Sequence, residues 1–309
     1  MIDKLIQSII KCRNHTVVGL DPRLEYIPDF IKDEAMAETN CFAEGVAKAF
    51  LKFNKEIIDS IYDVVPAVKP QIAFYEQYGI EGLKCFEETC RYAASKGLLV
   101  IGDIKRGDIG STAEAYSEAY LGDREYTYGT DFVTVNPYLG RDSLEPFVEQ
   151  CAQNQKGIFV LVKTSNQSSG DLQDLISGGK PIYEHMAELV VSLGQSYKGD
   201  RGYSFVGAVV GATYREQAAR LRDIMKDVYF LVPGYGAQGG TAEDAAVCFN
   251  EDGLGAIVNS SRGIIAAYRS KEYAARFSER DFGAAARVAS LAMKEDINKS
   301  LEKQNKLAW

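Results

Sequence analysis

The densest group of chemically active side chains in this sequence lies within residues 100–109. Asp103 and Lys105 follow an apolar run at residues 98–101, which is typical of a buried strand. Because successive side chains of a strand alternate between its two faces, both are expected on one face. Asp108 comes after a glycine that lets the chain turn. Buried charges are costly unless they are paired, so these three side chains form a candidate site, with a structural ion-pair network as the alternative.

The elements that must position these side chains alternate between apolar strands and amphipathic helices. The eight predicted strands cover residues 16–21, 67–74, 98–105, 131–138, 157–164, 205–213, 229–235 and 255–259. The predicted helices include residues 40–61, 76–96, 143–154, 182–197, 215–228 and 242–250. This alternation favours parallel β-α-β units, and eight of them match an α/β protein with a (β/α)8 TIM barrel. A doubly wound open sheet is the alternative, although residues 19–22 lack the glycine-rich turn usual in that fold.

Two long connections follow the first and fifth predicted strands, on the face where barrels build their active sites. They lie near residues 22–38 and 166–181, and the second is rich in Ser, Gly, Asn and Asp, which predicts an extended loop. We predict a single barrel domain over residues 1–309, with these two insertions and a C-terminal tail.

Further polar side chains stand at the predicted strand ends. Asp21 ends the first strand and Lys69 lies on the second. Taken singly, Asp21 is explained as a turn cap and Lys69 as a surface lysine. Taken with the charges of the third strand, they bring two lysines and three aspartates to one barrel mouth. Such a cluster shifts pKa values and marks a candidate site.

A phosphate site is indicated after the last two predicted strands. Residues 234–240 form a glycine-rich segment with exposed backbone N–H groups, and Arg262 follows the eighth strand. A guanidinium can bind a phosphate through two parallel hydrogen bonds, and barrels commonly bind phosphate in these two loops. A plain tight turn is the alternative explanation of the glycines.

Composition excludes several classes of protein. The net charge of −8 argues against nonspecific nucleic-acid binding, which needs a broad positive surface. No apolar stretch is long enough for a membrane span, and the first residues lack a signal-peptide pattern, so we predict a cytoplasmic protein. The six scattered cysteines predict reduced, mostly buried thiols. With only two histidines, apart from each other, no metal site is predicted.

The pattern Asp103-x-Lys105-x-x-Asp108, with Lys69 on the preceding strand, resembles the orotidine 5′-phosphate decarboxylase family. The resemblance extends in order from residue 18 to about residue 263. Residues 134–138, 163–166 and 258–263 are similar to the longer bacterial form of the family, and the first and last of these segments are the more specific. One departure is Gln167, where many relatives have proline.

The resemblance implies decarboxylation of orotidine 5′-phosphate to uridine 5′-phosphate, with no cofactor and no metal. It implies that Lys105 protonates C6 of the pyrimidine as CO2 leaves. Asp103 would face the substrate carboxylate, and Lys69 would bridge the charges and a ribose hydroxyl.

The resemblance also implies a homodimer with shared active sites. Asp108 would reach the site of the partner subunit, with Ile109 and Thr112 beside it. The remaining implied contacts are to ribose from Asp21, to the pyrimidine from Ser165, and to the phosphate from Gln238 and Arg262.

Two other functions stay open at this point. Metal-dependent relatives with the same strand-three pattern act on sugar phosphates through enediolate intermediates with Mg²⁺, but carry an acidic residue where this chain has Lys69. A catalytically silent nucleotide-phosphate binder would keep Arg262 and the glycine-rich segment. Such a binder would have no use for Lys105 between two aspartates.

Overall fold

Apolar, β-branched runs form eight parallel strands that close into a barrel, which confirms the predicted (β/α)8 architecture. The computed structural model describes residues 1–236 and 239–309. The strands are β1 (Thr16–Leu20), β2 (Ala67–Pro70), β3 (Leu99–Arg106), β4 (Phe132–Val135), β5 (Gly157–Lys163), β6 (Ser204–Val210), β7 (Val228–Val232) and β8 (Ala256–Ser260). Each pairs with its neighbour in sequence, and β1 closes the barrel by pairing with both β2 and β8.

Helices surround the barrel. They are α1 (Ile2–Cys12), α2 (Asp29–Ala37), α3 (Phe42–Ile61), α4 (Ala73–Glu76), α5 (Gly79–Ser95), α6 (Gly110–Leu121), α7 (Arg141–Asn154), α8 (Gly170–Gln173), α9 (Ile182–Gly194), α10 (Arg215–Ile224), α11 (Ala242–Ala246), α12 (Arg262–Ile265), α13 (Lys271–Ala274) and α14 (Phe282–Lys303). Among the described residues no helix combines the length and apolar composition needed to cross a membrane.

The apolar side chains form two layers, as the alternation of a barrel strand requires. The outer layer lies between the strands and the helices. The inner layer fills the barrel and includes Ile101, Phe132 and Phe159 from successive strands. Apolar residues of α1 join this inner layer, so the helix closes the end of the barrel opposite the polar strand ends. The six cysteines are free thiols, and four of them are buried.

The structure differs from the prediction mainly where strands end. Predicted strands 67–74, 131–138, 205–213 and 229–235 all overran, because β2, β4, β6 and β7 end at Pro70, Val135, Val210 and Val232. Beyond these points the backbone contacts between neighbours are isolated hydrogen bonds, such as Asn136 N–H to the Arg106 carbonyl and Gly211 N–H to the Lys163 carbonyl. The expected extended loop at 166–181 is wrong in part, since it contains α8 and a short antiparallel hairpin (Ile176–Ser177 with Lys180–Pro181).

Candidate active site

The centre of the site is the carboxylate of Asp103, on the C-terminal half of β3. Its Oδ2 accepts hydrogen bonds from Lys69 Nζ at 2.7 Å and Gln71 Nε2 at 2.9 Å. Its Oδ1 accepts hydrogen bonds from Lys105 Nζ at 2.5 Å and Thr134 Oγ1 at 2.8 Å. Four donors from three adjacent strand ends therefore hold one carboxylate in a single orientation.

Burial and charge together fix the protonation of this group. Asp103 is 7% exposed and Lys69 is 5% exposed. Burial alone would raise the pKa of the Asp103 carboxyl, but the Lys69 and Lys105 ammoniums outweigh it and hold that pKa well below its usual range. Burial alone would lower the pKa of Lys69, but the carboxylates of Asp103 and Asp21 outweigh it and raise that pKa above its usual value. The buried pair is therefore fully ionised at neutral pH.

Lys105 has an unusual backbone conformation for a strand residue. Its φ is +48°, in the left-handed region, and the pairing of β3 with β4 shifts register between Gly102 and Arg106. A non-glycine residue in this region costs about 1–2 kcal/mol, which surrounding contacts must offset. The backbone N–H of Lys105 donates to Thr134 Oγ1 at 3.0 Å. The same hydroxyl therefore holds both the lysine backbone and the Asp103 carboxylate.

Two adjoining cavities open at this end of the barrel. The first, of about 430 Å³, is lined by the charged cluster and by residues 164–166 after β5. The second, of about 300 Å³, is lined by Arg262 and Arg23. The cavities share Asp21, Pro233 and Asn259, and each volume suits a small ligand or part of one. Together they form a cleft with an ion-pair cluster at one end and guanidinium groups at the other.

Most of the sequence-predicted site residues line this cleft. Those in the first cavity are Asp21, Lys69, Asp103, Lys105 and Ser165, and Arg262 lines the second. Gln238 lies outside the described residues. Ser165 is the second residue after β5, and Arg262 begins α12 after β8.

Asp108, Ile109 and Thr112 are not among the described residues that line either cavity. Within one chain the structure therefore brings Asp21 and Asp103 to the cleft lining, and the convergence of Asp108 with them stays a prediction. β3 ends at Arg106, and Asp108 lies in the short connection between this strand and α6. Asp108 Oδ1 accepts the Ile109 backbone N–H at 2.8 Å, and the Ile109 side chain is 54% exposed.

Three residues of the site were given no role by the sequence analysis. Gln71 and Thr134 complete the hydrogen bonds to Asp103, and Asn259 lines both cavities. Gln71 could have been predicted from its spacing of two residues from Lys69, which places both on one face of the strand. Thr134 could have been predicted from its position on the strand next to that of Asp103. Among the described residues, no hydrogen-bond donor reaches Asn259 Oδ1 or Asp21 Oδ1. Two buried acceptors are thus available to a hydroxyl-bearing ligand.

Comparison with known proteins gives consistent matches over nearly the whole chain. The sequence model of the orotidine 5′-phosphate decarboxylase / HUMPS family matches residues 17–277. The orotidine 5′-phosphate decarboxylase of Rhodopirellula baltica is 48% identical over 297 residues, covering 95% of this chain and 97% of that protein. That of Clostridium acetobutylicum is 41% identical over 302 residues, covering 97% and 100%. The solved structure of Leishmania donovani OMP decarboxylase is 30% identical with a TM-score of 0.71, covering 97% of each chain.

Proposed function

The chain belongs to the orotidine 5′-phosphate decarboxylase / HUMPS family, and we propose that its charged cluster removes CO2 from orotidine 5′-phosphate with Lys105 as the proton donor. The product is uridine 5′-phosphate, and the reaction is a carboxy-lyase step of pyrimidine biosynthesis. The observation that carries the proposal is the Lys105 ammonium held 2.5 Å from a buried, ionised Asp103 in a ligand-sized cavity.

The proposed chemistry needs one proton and no other reactant. The bond between C6 and the carboxylate breaks, CO2 leaves, and the electron pair stays on C6. Lys105 Nζ donates a proton to C6 and is reprotonated from solvent, since its side chain is 46% exposed. An ammonium already fixed near C6 stabilises the developing negative charge without reorganisation. We propose no cofactor and no metal for this reaction.

Asp103 would raise the free energy of the bound substrate relative to that of the transition state. Its carboxylate would face the substrate carboxylate, and this unfavourable contact weakens as neutral CO2 forms. Only interactions that are more favourable in the transition state raise the rate of the chemical step. Lys69 would hold Asp103 ionised and contact a ribose hydroxyl.

The rest of the cleft suits the ribose and phosphate groups. Asp21 Oδ1 and Asn259 Oδ1 are buried acceptors that match ribose hydroxyl donors. Ser165 would hydrogen-bond the pyrimidine ring. Arg262, in the adjoining cavity, would bind the phosphate together with Gln238.

We further propose a homodimer with shared active sites. Asp108, Ile109 and Thr112 would enter the partner's cleft, because they lie outside the lining of their own. The exposed apolar side chains of Tyr138 and Leu139, 76% and 50% accessible, belong to the next strand end and would be covered in such a dimer.

The metal-dependent and non-catalytic alternatives are less well supported. Lys69 Nζ lies 2.7 Å from Asp103 and 3.9 Å from Asp21, so an ammonium stands between the carboxylates that a divalent cation would need. A silent binder has no need for Lys105 in a strained backbone conformation.

We also propose that the chain is a single-domain cytoplasmic protein that binds neither nucleic acid nor membrane, in line with its net charge of −8.

The decisive experiment follows the ultraviolet absorbance of orotidine 5′-phosphate with purified protein, with and without EDTA. We expect conversion to uridine 5′-phosphate at equal rates in both. Loss of activity in EDTA would favour the metal-dependent alternative. Binding of uridine 5′-phosphate without turnover would favour the silent binder.

A further inference from the structure

The last residue of β5, Lys163, carries a buried ammonium that the proposed chemistry does not use. Its side chain is 1% exposed. Its Nζ donates to Asp174 Oδ1 at 2.7 Å and to Ser169 Oγ at 3.0 Å. The Nζ also lies 4.6 Å from the ring centroid of Tyr214. Burying an ammonium is strongly unfavourable unless such partners replace its water, so this arrangement indicates a specific role.

A bulge in β5 directs Lys163 behind the cavity wall. The pairing with β6 runs from Leu161 opposite Val209 to Lys163 opposite Val210, so one residue of β5 is skipped. Leu161 and Val209 line the cavity, whereas Val210 belongs to the layer between strands and helices. Since residues opposite each other share a face, Lys163 points to that outer layer. The next residues, 164–166, then line the cavity.

Both hydrogen-bond acceptors of Lys163 lie on the segment 167–174, which folds back on the end of β5. Gln173 Oε1 accepts the Thr164 backbone N–H at 3.0 Å, and Gln173 Nε2 donates to Thr164 Oγ1 at 2.8 Å. Tyr214 OH donates to the Asn166 carbonyl at 3.3 Å. Thr164, on one side of Ser165, is therefore held by the segment that the Lys163 ammonium ties to the barrel. Asn166, on the other side, is held by Tyr214, whose ring the same ammonium contacts.

We propose that Lys163 is a positioning residue for recognition of the pyrimidine ring. By fixing segment 167–174 against β5, it sets the position of Ser165 at the cavity wall without touching the substrate. The proposal rests on the proposed function, because that function assigns Ser165 to the base. It predicts a defect confined to ligands that carry a base.

The test compares two ligands that share ribose and phosphate and differ in the base. Dissociation constants of uridine 5′-phosphate and ribose 5-phosphate are measured by calorimetry on the full chain, wild type and Lys163→Met. We expect about tenfold weaker binding of uridine 5′-phosphate, equivalent to one hydrogen bond, and less than about twofold change for ribose 5-phosphate. A similar loss for both ligands, or no loss for either, overturns the proposal.

The matched control is Lys156→Met, because Lys156 precedes the same strand at its other end and pairs with Asp131 at 3.4 Å. We expect both dissociation constants to stay within about twofold of wild type there. Should Lys163→Met fail to fold, Asp174→Asn removes the acceptor charge instead and must show the same ligand selectivity. The proposed function fails separately, if the wild-type chain does not decarboxylate orotidine 5′-phosphate.

Discussion

Lys69 and Asp103 form a buried ion pair in which Nζ lies 2.7 Å from Oδ2. Asp103 raises the pKa of Lys69, and Lys69 lowers the pKa of Asp103, so both groups are charged and Asp103 holds no proton at neutral pH. The other carboxylate oxygen binds the Lys105 ammonium. A proton delivered to substrate at this place therefore comes from an ammonium and not from a carboxylic acid.

Replacing Lys105 by methionine is expected to remove catalysis while leaving ligand binding nearly intact. The ammonium is the proposed proton donor, and general acids and preorganised charges each contribute about 10²–10⁴-fold. We expect kcat to fall by at least about 10³-fold and the dissociation constant of uridine 5′-phosphate to change by less than about tenfold. Single-turnover absorbance and calorimetry measure the two effects. Turnover near the wild-type rate would contradict the assignment.

The Thr134 hydroxyl is expected to support catalysis through Lys105 without contacting the reacting atoms. It accepts the Lys105 backbone N–H and donates to Asp103, so Thr134→Val removes both bonds at nearly constant volume. We expect kcat to fall by about tenfold to a hundredfold, the effect of one or two hydrogen bonds, with little change in KM. Thr134→Ser, which keeps the hydroxyl, is the control and should retain most of the activity. A kcat for Thr134→Val near the wild-type value would contradict this role of the hydroxyl.

The stability of the fold is expected to depend on pH through His15. Its ring stacks on Trp309 with centroids 5.0 Å apart, and burial lowers its pKa to about 3. An unfolded histidine titrates near pH ~6.5. Between these values the unfolded chain binds a proton that the folded chain does not, so stability is full above about pH 6.5 and falls as the pH decreases, by up to about 1.4 kcal/mol per pH unit.

Denaturant unfolding between about pH 6.5 and 4.5 measures this slope, above the range where carboxylates dominate. His15→Phe should flatten the slope whatever its effect on stability at neutral pH. His185→Asn is the matched control, since it removes the only other histidine. A slope that is the same in the His15 variant and the wild type would contradict the prediction.

How far the sequence predicted this site depends on the kind of signal that each residue carries. The alternation of side chains along a strand was enough to predict that Asp103 and Lys105 lie on one face, because this alternation can be read from a few consecutive residues. The left-handed backbone of Lys105 and the bulge before Lys163 leave no such local pattern, since both depend on register with a neighbouring strand. Thr134 is a common strand residue, and its role appears only once β3 and β4 are paired.

The position of Asp108 shows a different limit. Sequence proximity to Lys105 suggested a common site, but β3 ends between the two residues, and Asp108 does not line the cavity of its own chain. Strand periodicity describes one chain at a time, so a role for Asp108 in a partner's site was suggested only by the resemblance to a known family.

Mixing two inactive variants tests whether Asp108 completes the site of a partner subunit. Lys105→Ala and Asp108→Ala should each be inactive alone. In a mixed dimer, one site combines the intact Lys105 of one chain with the intact Asp108 of the other, while the second site lacks both. Random exchange of equal amounts makes half of the dimers mixed, so about a quarter of wild-type activity should return. Subunit exchange is verified by mass spectrometry of chains with different tags. A sample that exchanges fully yet stays inactive would contradict a role for Asp108 in the partner's site.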